Sequence, residues 1–318
     1  MKQNAIEACK NILIRCMGLR EGESTLVVTD TEREEIGRAI FEAALSLGSD
    51  ATMMVMSPRA VNGEEPPAPV AAAMAAANVV LCPTTKSLTH TQARKAAAAA
   101  GARIATMPGV TMDMLHEGAM TADYEQVSAL TMRVAELVDS ASTARISYKG
   151  HDLTMSLAGR KAIPSTGRFL SPGESGNLPS GEAYVAPVEG TAEGELYVDG
   201  SVAGFGKLNG PLLVRIKGGR AVAFEGVDAA PIEAMLKTPE SRNVAELGIG
   251  TNDKARLTGI ILEDEKIYGT VHVAFGDNST FGGTVRAGIH IDAILLAPDL
   301  YLDDVLVVHG GGVIPDRR

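Results

Sequence analysis

Two polar residues interrupt the apolar stretch GIHIDAIL, residues 288–295: His290 and Asp292. Desolvating a carboxylate in such a segment costs several kcal/mol unless something pairs with it. Strand alternation puts both side chains on one face, with Ile289 and Ile291 on the other. Their backbones stand about 7 Å apart by the strand rise, so the tips of the two side chains can close on one ion. The plainer alternative is a satisfied polar pair in which Asp292 only orients an imidazole. His272, in YGTVHVAFG (268–276), lies in a second alternating strand and shares a face with Ala274.

Two glutamates share the quiet surroundings of these residues. Glu182 follows a Pro/Gly-rich turn in GNLPSGEAYVAP (176–187), and Glu246 precedes an apolar, Gly-rich run in AELGIGTN (245–252). Exposed glutamates usually have charged neighbours, so both read as facing inward, although ordinary strand-edge glutamates would look much the same. Glu182, Glu246, His272, His290 and Asp292 together make three carboxylates and two imidazoles. Three negative charges nearly neutralise two divalent cations, and two metals about 3.5–4 Å apart sharing a carboxylate and a water form a hydrolytic centre. The mixed N/O donors suit Zn, Co or Mn. In that reading Glu246 bridges the metals. Glu265, seven residues before His272, is a candidate general base or a group behind the ligands, while its neighbours Asp264 and Lys266 equally suggest a solvated charge cluster. His90, His116, His151 and His309 sit at a helix start, in a polar loop, in a hairpin turn and before three glycines, where structural roles suffice.

The elements that must position these residues come in two textures. Over residues 1–142, strands at 24–30, 51–56, 78–84 and 102–108 alternate with helices at 32–48, within 69–77, at 89–101 and at 123–141, preceded by an amphipathic N-terminal helix over 1–18. This alternation predicts an α/β domain whose parallel sheet is covered by helices. From about 143 to 318 the segments are short and β-rich, with KGH and KGGR turns that predict hairpins and one helix at 228–241. The second domain is therefore expected to be α+β, with a mostly antiparallel sheet carrying the metal site.

Composition narrows the function. The net charge of −10 repels phosphate backbones and argues against a nucleic-acid partner. TDTEREE after the first strand is acidic and has no Gly-rich phosphate loop. No apolar run reaches the roughly 18–20 residues of a membrane span, and the N-terminus lacks the pattern of a signal peptide, so a cytoplasmic protein with no membrane partner is expected. Cys9, Cys16 and Cys82 match no zinc spacing and read as reduced, buried small residues.

GNLPSGEAYVAP, AELGIGTN, DEKIYGTVHVAFG and GIHIDAIL, in this order, resemble the aminopeptidase T/aminopeptidase S family of metallopeptidases over most of residues 140–300. SLTHTQARKAAAAAGARIATMPG is the most family-like stretch of the first domain. The resemblance implies a metallo-aminopeptidase, a hydrolase with a two-metal site on Glu182, Glu246, His272, His290 and Asp292. It further implies a homodimer with an enclosed cavity and short peptides as substrates. One departure stands out: Ser279 occupies the place of a tyrosine that helps the chemistry in that family, leaving Tyr184, Tyr268 or Tyr301 as substitutes. A relative of that family cleaves a dihydroxypyridine ring with one Fe(II) and dioxygen. An alternative reading is thus a mononuclear dioxygenase in which His272, His290 and Asp292 form a two-histidine, one-carboxylate triad. A metal-free binding protein on the same fold is a third possibility.

Overall fold

A computed structural model describes residues 2–315. The chain forms two compact units, Met1–Ser128 with Gly167–Ser180 and Ala129–Thr166 with Gly181–Arg318. It passes between them three times, where the change of texture suggested one passage near residue 142. The reason is local: the 167–180 segment returns to the first unit and adds a strand to its sheet.

In the first unit, strands β1 (Ser24–Asp30), β2 (Asp50–Met56), β3 (Val79–Thr84), β4 (Arg103–Pro108) and β5 (Ser175–Asn177) form one parallel sheet in the order β2-β1-β3-β4-β5. The near-continuous apolar sequences of β1, β3 and β4 fit strands covered on both faces, whereas edge strand β2 is largely accessible. Val70 and Met74 of helix Ala68–Ala76, with Ala93 and Ala97 of helix Gln92–Ala99, pack on Leu26, Val28, Val80, Cys82 and Ile104. Thr91, rather than His90, caps the latter helix by accepting from the Arg94 amide. The N-terminal segment is α-helical over Lys2–Asn11 and widens into a π-helical turn at Ile12–Cys16. All three cysteines are free and buried, and burial pushes their thiols upward, Cys9 and Cys82 to about 12. They act as small apolar residues.

The second unit holds two sheets, of eight and seven strands, in which every paired neighbour runs antiparallel. Both expected hairpins form. Lys149-Gly150 and Gly218-Gly219 take positive φ at both central positions, the backbone of a two-residue turn that matches strand twist. The helix expected over 228–241 is cut to Ala229–Glu233. Pro239 disfavours helical backbone at Thr238, and Thr238 and Ser241 instead bond each other's amides through their hydroxyls. Among the described residues, no helix is long and apolar enough to cross a membrane.

The seven-stranded sheet contains β6 (Glu182–Val185), β7 (Val244–Gly250), β8 (Val271–Gly276) and β9 (His290–Leu295), ordered β9-β8-β7-β6. Val185, Leu247, Ile249, Val271, Val273, Ile291, Ala293 and Leu295 face the unit's main hydrophobic core, which also takes Ile146, Leu153, Leu196 and Val214 from the eight-stranded sheet. By the two-residue period, the intervening positions of β6 to β9 share the other face.

Candidate metal centre

All five sequence-derived ligands lie on that second face, placed by register. Across the sheet, Glu246 pairs with Ala274 and Ala274 with Asp292; Gly248 pairs with both Tyr184 and His272; Gly250 pairs with Glu182; Gly276 pairs with His290. Large polar side chains thus alternate with glycine and alanine, which leaves them room to converge. Gly248 shows how strict this is: a Cβ there would stand 2.0 Å from Nε2 of His272, so the imidazole lies across a backbone that only glycine permits. Glu246 reaches the face through a bulge. Val244 pairs with Phe275 on the core side, Ala245 is the extra residue, and Glu246 then falls opposite Ala274.

Within the cluster, Nε2 of His272 stands 3.2 Å from Oε1 of Glu246 and 3.4 Å from Oε2 of Glu182, while Nε2 of His290 stands 3.5 Å from Oε2 of Glu246 and 3.2 Å from Oδ1 of Asp292. Nδ1 of His290 is 2.9 Å from the Asp277 carbonyl. Its N–H donates there, which turns the Nε2 lone pair toward the carboxylates. Glu182, Glu246, His272 and Asp292 are buried, and the His290 side chain is 31% exposed. Two overlapping groups have donor atoms within 4.8 Å of one another: Glu182, Glu246 and His272, and Glu246, His290 and Asp292. His272, His290 and Asp292, the triad expected for a mononuclear site, do not make one such group; Glu246 stands between the two imidazoles.

These residues fit a metal ion. Imidazoles and carboxylates with no thiolate suit a borderline divalent cation. Oε2 of Glu182 and Nδ1 of His272 are buried without a hydrogen-bond partner among the described residues. Such orphans are costly in a sealed site and rare without a purpose.

Sequence reasoning missed the role of Lys266. Read from DEKIYG as part of a possible solvated cluster, Asp264 and Lys266 are instead fully buried. Asp264 accepts from the Thr258 and Gly259 amides and the Thr258 and Ser201 hydroxyls, which fixes the short helix Ile261–Asp264. The chain then delivers the Lys266 ammonium between Oε1 of Glu182 and Oε1 of Glu265. Burial pushes the Glu265 carboxyl up to about 7 against the pull of Lys266, with Glu182 and Asp292 adding to the rise. Burial disfavours charge on His272, but the Glu246 hydrogen bond and the Glu182, Glu246 and Asp292 charges outweigh it and lift the imidazole to about 9.

The tyrosine question also resolves in part. Ser279 does not face the chemistry: its amide and hydroxyl both bond Oδ1 of Asp277 and shape the loop. Tyr184 is the tyrosine on the site face, and burial followed by the Glu246 and Glu182 charges pushes its phenol well above the usual range. Tyr268 instead bonds the Val313 backbone, and Tyr301 packs under the Arg145 guanidinium.

Comparison with known proteins adds to this geometry. Residues 4–315 match the family model described as NicX, 2,5-dihydroxypyridine 5,6-dioxygenase. A curated 2,5-dihydroxypyridine 5,6-dioxygenase from Pseudomonas putida is 27% identical over 189 residues, which are 53% of this chain and 53% of that protein. The chain therefore spans about half the length of the curated relative it matches. Among solved structures, the 2,5-dihydroxypyridine dioxygenase of P. putida KT2440 superposes with a TM-score of 0.82 at 21% identity, covering 99% of this chain and 98% of that one. Wild-type AmpT from Thermus thermophilus superposes at 0.71 with 17% identity, covering 98% and 99%. Both likenesses establish the fold: a parallel α/β domain followed by a mostly antiparallel one. The family match corrects the expectation of a metallo-aminopeptidase. The four motifs that suggested a hydrolase belong to a fold shared with aminopeptidase T, while the family over nearly the whole chain is the dioxygenase one.

Proposed function

The chain belongs to the NicX family of 2,5-dihydroxypyridine 5,6-dioxygenases, and from that premise we propose that it is a mononuclear Fe(II) dioxygenase that opens a hydroxylated aromatic ring. Glu246, His290 and Asp292 would hold the ion, with His272 packed against the far side of Glu246. Bound Fe(II) supplies the redox chemistry that couples dioxygen to the ring. What carries the single-metal reading is Lys266. Its one positive charge, set against Glu182, offsets one of the three carboxylates of the ligand set, which leaves Glu246 and Asp292 as two buried carboxylates, the charge of one divalent cation. The pair of Zn, Co or Mn ions inferred from three free carboxylates presupposed that no protein cation entered the cluster.

The other roles follow from position. Asp277 holds the His290 tautomer through its carbonyl. Lys266 holds the Glu182 carboxylate in place through its ammonium. Glu265, held to about 7, is placed to take a proton from a ring hydroxyl near neutral pH. The test is anaerobic loading of the metal-free protein with Fe(II), metal counting per chain, and oxygen uptake with 2,5-dihydroxypyridine. One iron per chain and oxygen uptake matched by loss of the ring absorbance are expected. Two ions per chain, or no uptake with the iron-loaded protein, would overturn the reading.

A further inference from the structure

Resting on the dioxygenase reading, we propose that Tyr184 and Phe281 form the ring-binding site. Tyr184 donates its phenolic O–H to an oxygen of a planar hydroxylated aromatic, and Phe281 supplies the wall on which that ring packs. Tyr184 leaves β6 two residues after Glu182, on the same face, and in the row that runs through Gly248 to His272. Phe281 comes from the loop that joins β8 to β9. Its ring meets Tyr184 edge to face, with centroids 5.6 Å apart at 76°, and meets His290 in the same manner at 5.7 Å and 83°. One aromatic ring thus links the phenol to the metal-facing imidazole.

Exposure indicates which side is open. Glu182, Glu246, His272 and Asp292 are buried, whereas Tyr184, Phe281 and His290 are each partly accessible. A ligand reaching the cluster on that side meets these three rings first. The Tyr184 hydroxyl makes no hydrogen bond to any described residue and so keeps a free donor. An aromatic wall beside a single polar donor is the lining that small planar ligands select, and aromatic pairs favour the edge-to-face and offset geometries available here.

The loop bearing Phe281 is braced. Asp277 accepts from the Ser279 and Ala287 amides, and Asn278 accepts from the Val285 amide and donates to Glu189. Gly283 lies so close over Asn278 that a Cβ would meet its side chain at 2.0 Å. The ring is therefore held in place before any ligand arrives. The chain has six tyrosines, six phenylalanines and no tryptophan, so abundance does not account for two of them meeting at the mouth of the cluster.

The experiment is an anaerobic calorimetric titration of the Fe(II)-loaded protein with 2,5-dihydroxypyridine. It is repeated for Tyr184→Phe and Phe281→Leu, with iron content and far-UV circular dichroism checked for each. Each variant is expected to keep its iron and to bind about three- to tenfold more weakly, the range for one neutral hydrogen bond or one aromatic contact. A saturated cyclic diol is expected not to compete. Unchanged Kd in both iron-replete variants, equal binding of the saturated diol, or no binding by the wild-type protein would overturn the proposal. Oxygen uptake read in parallel separates the two ideas. Binding without uptake removes the dioxygenase and leaves the ring site, whereas uptake with unaltered Kd in the variants removes the ring site and leaves the dioxygenase.

Discussion

Gly248 is the smallest residue of the metal centre and among the least replaceable. The His272 ring lies where a Cβ would be, so Gly248→Ala must displace the imidazole or push β7 from β8. The expected outcome is a folded protein that loses at least tenfold in metal affinity, measured by competition with a chromogenic chelator; unchanged affinity would show that His272 is not needed at that place. Lys266 makes the opposite point, about charge. Lys266→Met leaves Glu182 and Glu265 buried beside each other with no cation, and removing one partner of a buried ion pair costs about 3–5 kcal/mol. Chemical denaturation should register that loss, and Glu182→Gln in the same chain should recover part of it. At this scale the sequence was unevenly legible. His290 and Asp292 announced themselves because charge is rare in an apolar strand. Lys266 sits among Asp264, Glu263 and Glu265, a neighbourhood that looks solvated, and only tertiary packing buries it. Phe281 gave no signal because a lone aromatic in a glycine-rich loop has no period to read.

Among the elements, the strands were read best and the connections worst. β1 spans Ser24–Asp30, the bounds expected around its Leu26–Val28 run, and the period of two correctly put His290 with Asp292 and His272 with Ala274. Strict alternation would have put Glu246 with Val244 on one face; the bulge at Ala245 separates them, and a bulge leaves no mark in a single sequence. The loop between β8 and β9 is likewise held by contacts distant in sequence. Asp277 both closes that loop through its carboxylate and orients His290 through its carbonyl. Asp277→Ala keeps the carbonyl but frees the loop, so it should weaken metal binding less than His290→Ala does while raising amide exchange over 278–288. Equal exchange in variant and wild type would remove the bracing role. In the first unit, Glu23 ties the start of β1 to Arg103 of β4. Burial works against the Glu23 charge, but the Arg103 hydrogen bond, the Arg20 amide and the two guanidinium charges together hold its carboxyl below the usual range. A lowered carboxylate contributes stability that is present above its unfolded value, about 4.3, and that is lost as pH falls through the folded value. Glu23→Gln should therefore destabilise at pH 7 by about 1–2 kcal/mol and flatten the fall in stability below pH 4. An acid limb identical to wild type would show that the pair does not contribute.

For the whole molecule, the division into two units decides how metal and stability are linked. Every residue of the proposed centre, from Glu182 to Asp292, belongs to the second unit, while the parallel sheet of the first contributes none of them. An ion that binds only the folded second unit stabilises that unit by mass action, about 2.7 kcal/mol at a free concentration one hundred times Kd. In a unit of this size that is a rise of roughly 5–10 °C in its melting temperature. Unfolding of a chain with two cores need not be a single transition. Anaerobic calorimetry with Fe(II) should therefore move one component upward and leave the other where a chelator leaves it. The net charge of −10 attracts any divalent cation weakly, so Mg(II) is the control. It prefers an octahedral all-oxygen shell and gives up its waters reluctantly, and a site built partly from imidazole should discriminate against it. His290→Ala should abolish the Fe(II)-dependent shift while the first component melts unchanged. Equal displacement of both components, or the same displacement by Mg(II), would mean that the stabilisation comes from the surface charge of the chain and not from the cluster on β6 to β9.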